Sequence, residues 1–405
     1  MNSTLKVLLR ELDRIKRHPR YVIILTLGAI FSYVFFLTLM KEGQPEKLPI
    51  AIVDSDGSYL SRRLCHEIEA TQGVEVVAVY GSHNEARQAM QQQKIYAFLE
   101  IPKGTYSELL DFKTPHISLY ANNAYLLAGQ LSYKTLITIS RLASGAVHRE
   151  ILRKKGVSED KIMATIQPIV IDSHFISNPW ANYQPYVLTT VLPGILGLMV
   201  ALISIYVFSE EQRLRTIGDW MRTADGKLIP AMVGKLLPYT FLFTMLGIVG
   251  NIIFFGFENY VLLGSFWSLT LVYVLYIMAI QSMAIVICVL IGDMHMAICV
   301  GAIYTTLAFT MAGFSYPVTS MPPALQGFSL IFPLRHYYLT YVDIALYGAG
   351  AKQWLMHMLP LIGFIAAFFI AGLIFNRNFK RGKRYRMLHP EINEPQPPTT
   401  DTKCD

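Results

Sequence analysis

Six long, uncharged apolar stretches punctuate the chain, at residues 21–40, 186–208, 236–257, 265–291, 296–316 and 354–375. Each has about 20 residues or more, which at 1.5 Å per residue covers a hydrocarbon core of roughly 30 Å. The first is cut from the second by the mostly polar segment 41–185. This pattern predicts an α-helical integral membrane protein with six transmembrane helices: helix 1 at 21–40, helices 2–6 within 186–376.

Within 41–185 the periodicity changes. Residues 49–54, 74–80, 95–102 and 116–121 read as strands. Between and after them, 59–72, 85–94 and 124–155 read as helices, and 168–177 extends again. Strands alternating with helices predict an inserted α/β domain with a small mixed sheet. The long helix at 124–155 reads as a stalk.

Three further segments have their own texture. Residues 3–18 place Leu5, Leu8, Leu9, Leu12 and Ile15 at helical spacing with basic residues opposite. Segment 1–20 is therefore expected to be an interfacial amphipathic helix on the inner leaflet, ended by His18-Pro19. Segment 315–348 is apolar but broken by Pro317, Pro322, Pro323 and Pro333. It reads as a re-entrant element followed by an amphipathic outer helix. Gly194, Gly197, Gly247, Gly250 and Gly301 lie in the spans, where small residues permit close helix packing.

Charge sets the topology. Only 16% of residues are charged, and the net charge is +7. Basic residues cluster before span 1, in 209–235 and after span 6. With six spans these segments share one side, the cytoplasm, and 41–185 is extracytoplasmic. The tail 377–405 reads as basic, then polar, Pro-rich and disordered. No signal peptide is apparent. The basic excess lacks the interleaved aromatics of a nucleic-acid surface. The partner implied by these features is the lipid bilayer, in a bacterial inner membrane with both termini cytoplasmic.

Catalytic chemistry is not evident. There is no phosphate-binding loop, zinc spacing or disulfide framework, so no catalytic, cofactor-binding or metal site is assigned. The spans hold almost no carboxylates, which disfavours an ion-coupled carrier. The loop 209–235 is the place where energy from a partner could enter. Written as a helix, it pairs Glu210 with Arg213 and Glu211 with Arg215. Leu214, Ile217 and Met221 share one face, with Trp220 exposed beside it and Gly218 as a notch. Such a helix could dock into a groove on a soluble protein. On the residues alone, a plain salt-bridged hairpin between two spans is the preferred reading.

Here the chain resembles type-2 ABC exporter permeases. Glu210-Glu211, Arg213, Thr216, Gly218 and Gly234-Lys235 match the family's pattern, although the family order puts Gly directly before Thr. The N-terminal helix, the insert beginning IAIVDSDGSYLSRRL and the FPLRHYY stretch before span 6 look like the subgroup with a large outer domain. The resemblance implies that two such chains, identical or not, form a pathway driven by separate cytoplasmic ABC ATPase subunits that use the ATP. It implies that 209–221 is an ATPase-coupling helix carrying Glu210, Glu211, Arg213, Leu214, Thr216, Ile217, Gly218, Trp220 and Met221. The outer domain would gate the exit or dock a periplasmic adaptor.

The expected function is thus a non-catalytic permease subunit exporting an amphipathic substrate: a drug, lipid or lipid-linked molecule. Met199, Phe208, Tyr304, Phe309, Met311 and Phe314 are candidates to line the pathway. The rival is a membrane-anchored extracytoplasmic receptor or envelope assembly scaffold that transports nothing.

Overall fold

The computed structural model describes residues 2–388 except 112, 170, 173, 175 and 179–181. The expected disordered tail from 391 lies outside the described residues. From the N-terminus, α1 (Ser3–Arg17) and α2 (Arg20–Leu39) precede a sheet-bearing segment. That segment runs β1 (Leu48–Asp54), α3 (Tyr59–Glu69), β2 (Val74–Tyr80), α4 (His83–Gln91), β3 (Ala97–Ile101), α5 (Thr105–Leu110), β4 (Ser118–Ala121), α6 (Leu126–Lys154) and α7 (Glu159–Ile166). Then follow α8 (Tyr183–Arg213), α9 (Ile217–Thr223), α10 (Leu228–Ile252), α11 (Phe266–Ile291), α12 (Met294–Met311), α13 (Pro323–Ser329), α14 (Pro333–Tyr341) and α15 (Ala351–Leu388). The chain divides into two compact units, 42–175 and the remainder.

Unit 42–175 contains a four-stranded sheet in the order β2-β1-β3-β4. β1 runs parallel to both neighbours, and β4 is antiparallel to β3. β1 is covered on both faces because its residues alternate sides. Ile50 and Ile52 pack with Leu64, Ile68 and Leu136 of α3 and α6. Ala51 and Val53 pack with Ala86 and Ala89 of α4 and with Phe98. Helix starts follow from the sequence: the Ser58 hydroxyl caps α3 by accepting from Ser61 N, and Ser82 caps α4 by accepting from Glu85 N. The expected extended segment 168–177 forms no strand among the described residues.

The other unit is helical. Among the described residues, six of its helices are long and apolar enough to cross a membrane: Arg20–Leu39, Tyr183–Arg213, Leu228–Phe257, Phe266–Ile291, Met294–Met311 and Ala351–Arg377. α8 and α11 are the inner pair, and much of their surface is buried. Rings fill the space that glycines leave. A Cβ on Gly247 would lie 1.8 Å from the Tyr273 ring, and one on Gly197 would lie 2.2 Å from the Tyr276 hydroxyl. That hydroxyl donates to the Pro193 carbonyl at 3.1 Å. The prolines of 315–348 separate short helices, α13 and α14 each opening with proline in its first turn. A single wide turn, Val342–Leu346, then leads toward α15.

Two expectations about boundaries are corrected. α8 continues through Arg213 and α10 begins at Leu228, so the loop expected at 209–235 shrinks to residues 214–227 around α9. The helix of span 6 extends through the basic segment to Leu388.

Candidate coupling site

The site forms where α1, the end of α8, α9 and the start of α10 meet. α1 lies against α10 through Ser3, Val7 and Glu11, its buried residues. Their i, i+4 spacing puts them on one helix face. The expected apolar stripe faces elsewhere: Leu5, Leu9 and Leu12 are exposed. The close approach needs Gly234, where a Cβ would sit 2.6 Å from the Thr4 carbonyl oxygen and 2.9 Å from Val7 Cβ.

Charges from distant parts of the chain converge beside Gly234. Lys235 Nζ lies 2.9 Å from Glu11 Oε2 and 2.8 Å from Glu211 Oε1. Lys235 and Glu211 are each 1% exposed, and Glu11 is 2% exposed. Arg14 reaches Glu211 at 3.0 Å and also pairs with Glu210; Arg10 reaches Glu211 at 3.3 Å. Thr216 Oγ1 donates to Glu211 at 2.5 Å, and Tyr239 OH donates to Glu11 at 2.8 Å. Three carboxylates thus face three cations, and the charges balance. Burying an unpaired ion would cost several kcal/mol, so the set is stable only as a whole. Burial works to lower the Arg14 pKa, but Glu11, Glu210 and Glu211 outweigh it and hold the guanidinium above its ordinary value.

Glu210 and Glu211 therefore do not form the expected pairs with Arg213 and Arg215 along one helix. α8 breaks after Arg213, and Arg215 takes a left-handed conformation at φ 57°. The chain reverses there, and Glu211 faces α1 and α10. Lys6 and Ser3 extend the contact to Asp225, each at 2.8 Å.

Trp220 is the largest correction. It was expected to be exposed, and it is 1% exposed. Its indole N–H donates to the Ala231 carbonyl at 3.2 Å, and its ring packs on Phe208 and near Phe375. Lys235 Nζ lies 5.6 Å from the ring centroid. An indole that satisfies its N–H and stacks in an apolar pocket belongs to the core. The exposed surface from Arg213 through the turn includes instead Arg213, Leu214, Arg215, Gly218, Asp219 and Arg222, with Asp225, Gly226 and Lys227 at its far end. Gly218 has open space around it, while Ile217 and Met221 are half-buried against the core beneath.

A family model described as ABC-2 family transporter protein matches residues 19–374. The chain belongs to this family. It is similar to the probable multidrug ABC transporter permease YbhR of Escherichia coli K12, 20% identical over 328 residues, which are 81% of this chain and 85% of the relative. The same figures hold for YbhR of Escherichia coli O157:H7. This ABC-2 permease is therefore a membrane subunit of an ABC transporter.

The residues expected to line a pathway are mostly engaged within this ABC-2 permease. Phe208 belongs to the core beneath Trp220. Phe309 lies over Gly194, where a Cβ would come within 2.4 Å of its ring. Met199 reaches Gly28, and Phe314 packs on Tyr186 and Tyr338. Tyr304 stacks on Phe332 and donates to the Ile331 carbonyl at 2.6 Å. Met311 is half-buried against the same core as Met199, Phe309 and Phe314.

Sequence reasoning missed Glu11. Its signal was present: an acidic residue four positions from Val7 and three before Arg14 in a mostly basic helix. It also missed Asp343, which is 4% exposed and lies 2.6 Å from His357 Nδ1. Only folding brings those two residues together.

Proposed function

We propose that this chain is one of two permease chains forming the pathway of an ATP-driven exporter in a bacterial inner membrane. Separate cytoplasmic ABC ATPase subunits supply the energy. Both termini and 214–227 face the cytoplasm, and unit 42–175 is an α/β domain on the opposite side. The basic flanks and the six apolar helices support this orientation. The substrate class is an amphipathic molecule, a reading supported by the description of the relative as a probable multidrug permease.

The observation that carries the proposal is the buried ion cluster of Glu11, Glu211, Lys235 and Arg14. It ties the turn at 214–227 to α1 and to the spans α8 and α10. A force applied to the exposed face of that turn would be transmitted to two spans at once, because the cluster resists being separated. The ATPase is proposed to seat on Leu214, Gly218 and their polar neighbours. Leu214→Glu places a charge on the exposed apolar side chain, and Gly218→Trp blocks the open surface. Both variants should insert and fold as the parent does but lose ATPase on copurification and lose substrate-stimulated ATP hydrolysis. Retention of the ATPase at parental levels by both variants would remove this surface from the reading.

A further inference from the structure

Unit 42–175 contains a cavity of about 530 Å³ between α3, α5 and α6. That volume is within the range of small-molecule sites, roughly 300–1,000 Å³. It exists because α6 presents small residues there. Ser140, Ala143 and Ser144 leave room that longer side chains would fill. Most of the apolar lining is buried or half-buried, including Leu64, Ile101, Leu109, Val147 and Ile151, while Ile117 is exposed. The charged and imidazole lining is exposed, at Lys113, His148 and Lys155. Among the described residues, no Asp or Glu lines the cavity. Lys113 reaches Asp111 at 3.6 Å, an exposed pair of the weak surface kind. The polar groups within are unequal. Ser61 and Thr105 hydroxyls donate to the Ser58 and Pro102 carbonyls. The Ser140 hydroxyl is shielded from solvent and has no partner among the described residues. Buried polar groups are rarely left so, and each exception asks for a reason.

We propose that this cavity binds a single-chain amphipathic anion. The apolar chain lies against Leu64, Ile101, Val147 and Ile151, and the anionic head, a carboxylate or a phosphate, lies at the basic rim. Ser140 supplies a hydrogen bond to a polar atom along the ligand. The asymmetry of the lining selects this class: apolar within, cationic at the rim, and without Asp or Glu among the described lining residues. The proposal does not depend on the exporter reading.

The test uses the full chain in phosphatidylcholine nanodiscs, with a palmitate carrying a photoactivatable diazirine, and maps cross-links by peptide mass spectrometry. Labels are expected on peptides containing Leu64 and 143–152. Unlabelled palmitate and lysophosphatidate should both compete, and whichever competes at lower concentration identifies the head group. Uncharged hexadecanol should need about tenfold more. Ala143→Trp, which fills the cavity, and the pair Lys113→Glu with Lys155→Glu, which reverses the rim, should each reduce these labels about tenfold while leaving labels on the spans unchanged. Labelling confined to the spans, equal competition by hexadecanol, or labels indifferent to the charge reversal would overturn the proposal. Should Ala143→Trp fail to fold, the charge-reversed chain decides the matter, since both its positions are exposed.

Discussion

Lys235 and Glu11 meet at 2.9 Å across 224 positions of sequence, and both side chains are almost wholly buried. The contact joins the N-terminal helix to the start of α10 and closes on Glu211 at the end of α8. Its energetics differ from those of a surface pair. Each ion has lost its water, so each is stable only while the others stay in place.

Removing one member should therefore be severe. Lys235→Met leaves Glu11 and Glu211 buried with less compensation, and is expected to cost about 3–5 kcal/mol. Glu11→Gln should cost less, because Tyr239 and Lys235 can still bond to the amide. The double variant should be more stable than the sum of the single losses predicts, which thermal unfolding in detergent will measure. Strict additivity would show that the two residues do not interact as described.

Gly234 is expected to tolerate no side chain. Gly234→Leu would drive a Cβ into the Thr4 carbonyl and Val7, and α1 would move off α10. Overpacking of this kind costs about 1–3 kcal/mol. A spin label pair, one on α1 and one on the exposed side of α10, should report a longer and broader distance. An unchanged distance would mean that α1 is held by other contacts.

Trp220→Ala should lower stability by about 3–5 kcal/mol, as for a large aromatic removed from a core. The loss should appear in the unfolding temperature and in the yield of inserted protein. A stable Trp220→Ala variant would return this indole to the surface.

The contact of Lys6 and Ser3 with Asp225 has a pH dependence of defined sign. The Lys6 ammonium and then the Ser3 hydroxyl hold the Asp225 carboxyl below its ordinary value. A depressed carboxyl contributes stability that is fully present above its unfolded pKa, about 3.9, and is lost as pH falls through the folded value. The α1–Asp225 contact should therefore be unchanged from neutrality down to about pH 5 and loosen only in stronger acid. Asp225→Asn should abolish that acid step, followed through a fluorophore on α1. Loosening near pH 6 would point to another group.

Topology is tested by single cysteines in a background free of cysteine. Residue 90 should react with an impermeant reagent from outside and residue 222 only after the inner face is opened. The reverse pattern would invert the proposed orientation.

The sequence alone was sufficient for the six apolar helices and for the four strands along 49–121. Transfer of a 20-residue apolar helix into lipid, and the covering of both faces of β1, are decided by local runs of side chains. The helix of α1 was legible in its leucine spacing, but the face it buries, Ser3, Val7 and Glu11, was not. The exposed face of the turn at 214–227 was not legible either. Trp220 reads as an exposed anchor in any local window, because nothing within 209–221 shows that Phe375 closes over it from the far end of the chain. Glu211 reads as the partner of Arg215, since helical spacing is the only neighbour relation a sequence displays. The left-handed turn at Arg215 breaks that helix and redirects the carboxylate to Lys235 and Arg14. Tertiary structure decided these points because a buried charge takes whichever partner removes its desolvation cost, and folding had brought that partner from α1 and α10.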